Sequence, residues 1–161
     1  MKNNNAVREH LLYLLKGDGA HLDFDSAVKD LPVELRGARP QGAAHSPWEL
    51  LEHLRIAQLD VLDSIRDAKH ISPEFPVGYW PQSQVPANET AWEKSAEAFR
   101  ADFEALVKLI NNDSTDLLGP IPHVEGQTIF RKIAMLADHN AYHLGQLVVL
   151  RRMLGTWQMA A

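Results

Sequence analysis

Two histidines stand one helical turn apart in the run His139-Asn140-Ala141-Tyr142-His143-Leu144-Gly145-Gln146. On a helix, residues at i and i+4 leave the same side, so both imidazoles can reach one divalent metal ion. A third ligand must then come from another part of the chain. His53 lies beside Leu50 and Leu54, near the edge of the apolar face of a second predicted helix. Alone, such a histidine reads as a core residue satisfied by one hydrogen bond. Three inward histidines on two helices read differently. Each would need its own buried polar partner, whereas one metal ion satisfies a nitrogen of all three. His53, His139 and His143 are therefore the candidate metal ligands, and three neutral imidazoles suit zinc or nickel with one or more positions left to water or substrate.

The other five histidines carry less. His45 precedes a helix cap and His123 sits in a proline-containing loop, so both read as surface loop residues, and His10, His21 and His70 offer no constellation. Glu49 and Gln146 stand one turn from His53 and His143, where they either orient a ligand or a bound water or serve as solvated or capping residues. Asn140 and Tyr142 flank the pair without an assignment. The chain has no cysteine, which removes disulfides, thiolate ligands and a cysteine nucleophile; thiol chemistry here needs a thiol from outside. Gly17-Asp18-Gly19 lacks the remaining glycines of a phosphate-binding loop, and neither a Gly-x-Ser-x-Gly elbow nor a His-Glu-x-x-His motif is present.

Four amphipathic helices would have to position these residues. Val7, Leu11, Leu14 and Leu15 predict a first helix over 5–16, stopped by Gly17. Ser46-Pro47-Trp48-Glu49 forms a capping box with proline at the first helical position, and Leu50, Leu51, Leu54, Val61, Leu62 and Ile65 trace the inward face of a second helix to about Lys69. A third begins at Thr90, with Glu93 completing a second capping box, and buries Trp92, Ala96, Phe99, Phe103, Leu106, Val107 and Ile110. The fourth runs from about Thr128 to Leu154 with Gly155 as its stop. Strand alternation and hairpin signals are missing, so the expected fold is all-α, an up-and-down four-helix bundle forming one domain over 1–161.

The connections between the first and second and between the second and third helices are long. The first holds a short helix around Ser26 to Asp30. The other contains Pro73, Pro76, Pro81 and Pro86, and its Phe75, Tyr79 and Trp80 either seal one end of the core or form a lid or subunit contact. By helical rise His53 stands about 9 Å from its helix start, and His139 and His143 about 17 and 23 Å from theirs. The helix ends must be staggered for the three to meet.

At 161 residues, 45% hydrophobic and 23% charged, the chain suits one well-buried core. Its longest apolar run, Leu11 to Leu15, falls far short of the ~18 residues that span a bilayer and does not serve as the core of a secretory signal, so a cytoplasmic location without membrane contact is expected. Sixteen basic against twenty-one acidic residues, a net charge of -5, make nucleic acid a poor partner.

The helix His45-Ser46-Pro47-Trp48-Glu49-Leu50-Leu51-Glu52-His53-Leu54, the run His139-x-x-x-His143-x-Gly145-Gln146 and the ending Leu150-Arg151-Arg152-Met153-Leu154-Gly155 together resemble the DinB/YfiT-like superfamily of bacterial metal-binding four-helix bundles. The resemblance spans essentially the whole chain and implies that the family's three metal ligands fall on His53, His139 and His143. It also implies a range of activities: thiol-dependent S-transferases or isomerases using a low-molecular-weight thiol, metal-dependent hydrolases, and members with no known reaction. The expectation is a thiol-dependent S-transferase acting on an electrophilic small molecule, with a hydrolase at the same site or a non-catalytic metal-binding stress-response protein as alternatives. A homodimer suits both the aromatic loop and the family habit.

Overall fold

The computed structural model describes residues 2–17 and 19–157, with side chains from residue 5 onward. Among the described residues five helices form: α1 (Lys2–Lys16), α2 (Phe24–Val28), α3 (Pro47–Arg66), α4 (Ala91–Asn111) and α5 (Ile129–Met153), with short 3₁₀ turns at Val33–Leu35 and Val77–Tyr79. No β-strand occurs among the described residues; Pro120 and Thr128 make one isolated antiparallel bridge. The four long helices are those expected of an all-α bundle.

Local chemistry explains most of the boundaries. The Ser46 hydroxyl accepts from the Glu49 backbone amide and the Glu49 carboxylate accepts from the Ser46 amide, so the capping box at the start of α3 is complete. Thr128 caps α5 by accepting from the Arg131 amide. Gly17 and Gly155, at φ 77° and 71°, occupy the left-handed conformation that ends α1 and α5.

Three expectations about helix ends need correction. The second capping box does not form: the Thr90 hydroxyl donates to Asn88 Oδ1 and the Glu93 carboxylate is taken by Arg36 at 2.8 Å, yet α4 forms from its apolar stripe. The short helix of the first connection starts two residues early, because Asp23 and not a later residue caps it. And α3 stops at Arg66, three residues short of Lys69.

Packing fixes the helix directions. One apolar cluster joins Leu11 and Leu15 of α1, Val61, Leu62 and Ile65 of α3, Leu106 and Ile110 of α4, and Ile133 and Leu136 of α5. A second joins Trp48, Leu51 and Leu54 of α3, Trp92 and Phe99 of α4, and Leu144, Leu147 and Leu150 of α5. The first half of α3 thus meets the first half of α4 but the second half of α5. Consequently α3 and α4 run the same way and α5 runs against them, an up-down-down-up order in place of simple alternation.

The long connection 67–90 makes this possible by running back along α3. His70 donates to Asp60, the Tyr79 carbonyl meets His53, and Ser46 donates to the Gln84 carbonyl, in that order from the end of α3 to its start. Buried Arg8 of α1 donates to the carbonyl of Ile110, in the last turn of α4, and to that of Thr115 just beyond it.

Candidate metal centre

Between the two apolar clusters lies a polar layer on α3 and α5. The complete cap at Ser46 sets the phase of α3, which turns His53 inward beside Leu50 and Leu54. On α5, His139 and His143 face it from successive turns. Because α5 opposes α3, the staggered ends anticipated from helix rise are met by a C-terminal half of α5 that extends past the start of α3. His53 and His143 are buried and His139 is half-buried.

The three rings converge. His53 Nε2 lies 2.9 Å from His139 Nε2 and 3.1 Å from His143 Nε2, and the ring centroids are 4.4 to 4.8 Å apart. Each opposite nitrogen is engaged by an oxygen. His53 Nδ1 donates to the Tyr79 carbonyl at 2.8 Å, His139 Nδ1 to Asn140 Oδ1 at 3.3 Å, and His143 Nδ1 to Gln146 Oε1 at 2.9 Å. A carbonyl only accepts, so these partners keep the hydrogen on Nδ1 and leave the lone pair on Nε2.

Electrostatics keeps the rings neutral. Burial lowers the pKa of all three, and His143, where a proton would also be repelled by one on His139, is lowered to about 4. The neutral Nε2 of His53 then faces the lone pairs of both His139 and His143 at hydrogen-bond distance with no proton to share. A cation resolves that repulsion. Imidazole nitrogens bound to one zinc at ~2.0–2.1 Å stand about 2.9–3.4 Å apart at tetrahedral to right angles, which matches the two spacings about His53. The donor set fits a divalent metal ion, and among the described residues no carboxylate joins the cluster.

A family model for the DinB superfamily matches residues 18–147. The chain belongs to the DinB superfamily. No curated protein and no solved structure matches it. Within this DinB-superfamily chain, the three histidines picked out by spacing and resemblance are the ones the fold brings together.

Several supporting residues were not legible in advance. Gln58, fully buried, donates to the Phe99 carbonyl at 2.7 Å and faces its own Oε1 to Asn140 Nδ2 at 3.5 Å, so Asn140 is left to turn its oxygen to His139. The signal was a polar residue inside the apolar stripe of α3, one turn from Leu54 and Leu62. Trp80 stacks on His53 at 3.9 Å and 2°, and His45 in turn stacks on Trp80 at 3.8 Å and 11°.

His45 is thus part of the site's surroundings and not a plain surface loop residue. Tyr79 and Trp80 do more than seal the core: they hold one of the three histidines. Gln146 orients His143, whereas Glu49 is committed to the α3 cap and to Arg39.

His70, set aside for lack of a constellation, shares Asp60 with the Tyr79 hydroxyl at 2.7 and 2.8 Å. Burial would raise the Asp60 carboxyl, but hydrogen bonds from His70, Ser72 and Tyr79 outweigh it and hold it below the usual carboxylate range; burial and that carboxylate push the Tyr79 phenol to about 12. His123, the other loop histidine, contacts the Ser64 carbonyl at the far end of α3 and stands apart from the centre.

Proposed function

We propose that the chain is a metal-dependent enzyme of the DinB superfamily, a thiol-dependent S-transferase that joins a low-molecular-weight thiol to an electrophilic small molecule. One observation carries the metal reading: three unprotonated Nε2 atoms converge while each Nδ1 is held by an oxygen. His53, His139 and His143 would hold the ion, zinc or nickel, and Tyr79, Asn140 and Gln146 would keep its ligands aimed. A divalent ion with only three protein ligands supplies Lewis acidity, lowering the pKa of a thiol or water presented to it.

The surroundings favour a thiol over water. The nearby acids of α3 are occupied: Glu49 by Arg39 and the cap, Glu52 by Arg55 and Ser95, Asp60 by His70 and Tyr79. On α3, then, no acid is free to draw a proton from water. A thiol, with a free pKa near 8.5, needs far less help, and a chain without cysteine offers no competing thiol of its own.

The test is a panel of thiols with alkylating and epoxide electrophiles beside ester and amide substrates without thiol. Thioether formation that depends on zinc or nickel supports the reading. Turnover confined to the thiol-free arm transfers the site to a hydrolase, and a cobalt-substituted sample whose spectrum ignores both thiol and azide removes the catalytic reading. A homodimer belongs to the same proposal, supported by exposed Ile71, Phe75 and Val77 on the 67–90 segment; a monomer in sedimentation at micromolar concentration would discard it.

A further inference from the structure

Gly145 sits well inside α5, two residues past His143, where glycine costs a helix about 1 kcal/mol relative to alanine. Neither of the usual reasons for it applies. Its backbone is ordinary helix, and nothing lies within 4 Å of where a Cβ would stand, so no neighbouring element needs the space. What occupies that space is a cavity of 510 Å³ between α5 and the segment before α3.

Its walls are apolar, chiefly Leu50, Tyr142, Val149 and Met153, and the last three are 65%, 53% and 51% exposed. His45, Gln146 and the phenol-bearing Tyr142 are its polar side chains, and no charged side chain lines it among the described residues. The cavity borders the supports of the metal centre, not the three histidines themselves: Gln146 holds His143 Nδ1, His45 stacks on the Trp80 that covers His53, and the Tyr142 ring meets His143 edge-on at 4.9 Å.

We propose that this cavity binds the uncharged alkyl or aryl body of the electrophilic substrate, with Gly145 as its floor and His45 and Gln146 meeting a neutral polar group on it. The cavity has the volume of a small-molecule site, mostly apolar with a few polar groups. A thiol cofactor bearing carboxylates finds no cation here, so the apolar partner takes this place. Only the word substrate rests on the transferase reading; binding itself does not.

The experiment titrates full-length protein, zinc-loaded and metal-free, with a series of neutral N-alkylacetamides from butyl to octyl by calorimetry. Affinity is expected to rise about fourfold per methylene, the equivalent of ~0.8 kcal/mol of apolar burial, until the cavity is filled. Gly145→Leu should weaken octyl binding at least tenfold while zinc affinity and helical content stay unchanged. Gly145→Ala, which adds one methyl group and favours the helix, secures a folded variant and should move the tightest binder to a shorter chain.

Affinity that ignores chain length, or octyl binding untouched by both substitutions, would overturn the proposal. So would a dimer in sedimentation that Gly145→Leu dissociates, because a second copy would then cover this face. Chain-length-dependent binding that persists in a protein unable to hold zinc would sink the metal reading and leave this one standing.

Discussion

The cluster around Leu62, Leu106 and Leu136 and the polar layer around His53, Gln58 and Asn140 share α3 and α5, lie within a few turns of each other and are about equally buried. They are held by different physics. In the apolar cluster any side chain of suitable volume contributes, since burial is non-directional. In the polar layer each buried nitrogen or oxygen needs a partner, and the chain Phe99 carbonyl, Gln58, Asn140, His139 supplies them one after another. Only the Nε2 atoms meet like with like. The bundle is thus stabilised in one region and given a purpose in the other, and the two should come apart experimentally.

The largest expected effect is on metal binding. His53→Ala, His139→Ala or His143→Ala should each weaken zinc by roughly 70- to 900-fold, since ~10–16 kcal/mol over four ligands in structural sites is about 2.5–4 kcal/mol each. Competition against a chelating dye measures it, and circular dichroism should show the helices intact. Full zinc occupancy in any one variant would strike that residue from the site. In the apolar cluster the pattern should invert: Leu136→Ala is expected to cost about 2–5 kcal/mol in urea unfolding while the folded protein binds zinc as before. A matching loss of zinc affinity would mean that the two regions are not separable.

Gln58→Met sharpens the contrast, because it replaces a polar member of the layer with an apolar one of similar size. Zinc affinity should drop about tenfold, as when outer partners of a metal-bound histidine are removed, and nitrogen NMR should show His139 with mixed tautomers. A pure tautomer with unchanged affinity would reduce Gln58 to packing. Smaller again are the caps: Ser46→Ala should cost about 1 kcal/mol, and Thr90→Ala a few tenths at most, because only the first caps its helix through the side chain.

The mildest probe is pH on metal-free protein. His143 titrates near 4 when folded and near 6.5 when unfolded, so between those values the unfolded chain binds the extra proton. Stability should therefore rise as pH climbs from about 4 to 6.5 and level off above, and His143→Gln should flatten that slope. An equally steep slope in the variant would assign it to other groups.

Much of this was readable beforehand because it is local. Ser46, Pro47 and Glu49 mark the start of α3 through contacts three residues apart, and Gly17 and Gly155 stop their helices through their own backbone freedom. The histidine trio was readable because i, i+4 spacing and an inward face survive any arrangement of the helices. Thr90 and Glu93 carry the same motif as Ser46 and Glu49 and do not form the box, since Arg36, 57 residues away, takes the glutamate. The direction of α4 was equally hidden. Twenty-four residues from 67 to 90 can extend to roughly 80 Å at about 3.3 Å each, ample to turn at once or to travel back along a ~30 Å helix. Nor does any pattern disclose the Tyr79 carbonyl, an acceptor that every residue carries.

That carbonyl makes His53 unusually hard to misalign by exchanging side chains. Replacing Tyr79 with almost any other amino acid leaves the oxygen in the chain, so its grip is set by the path of the backbone. Shortening or lengthening the segment before it is what would detune the centre, and it would do so with all three imidazoles still in the chain.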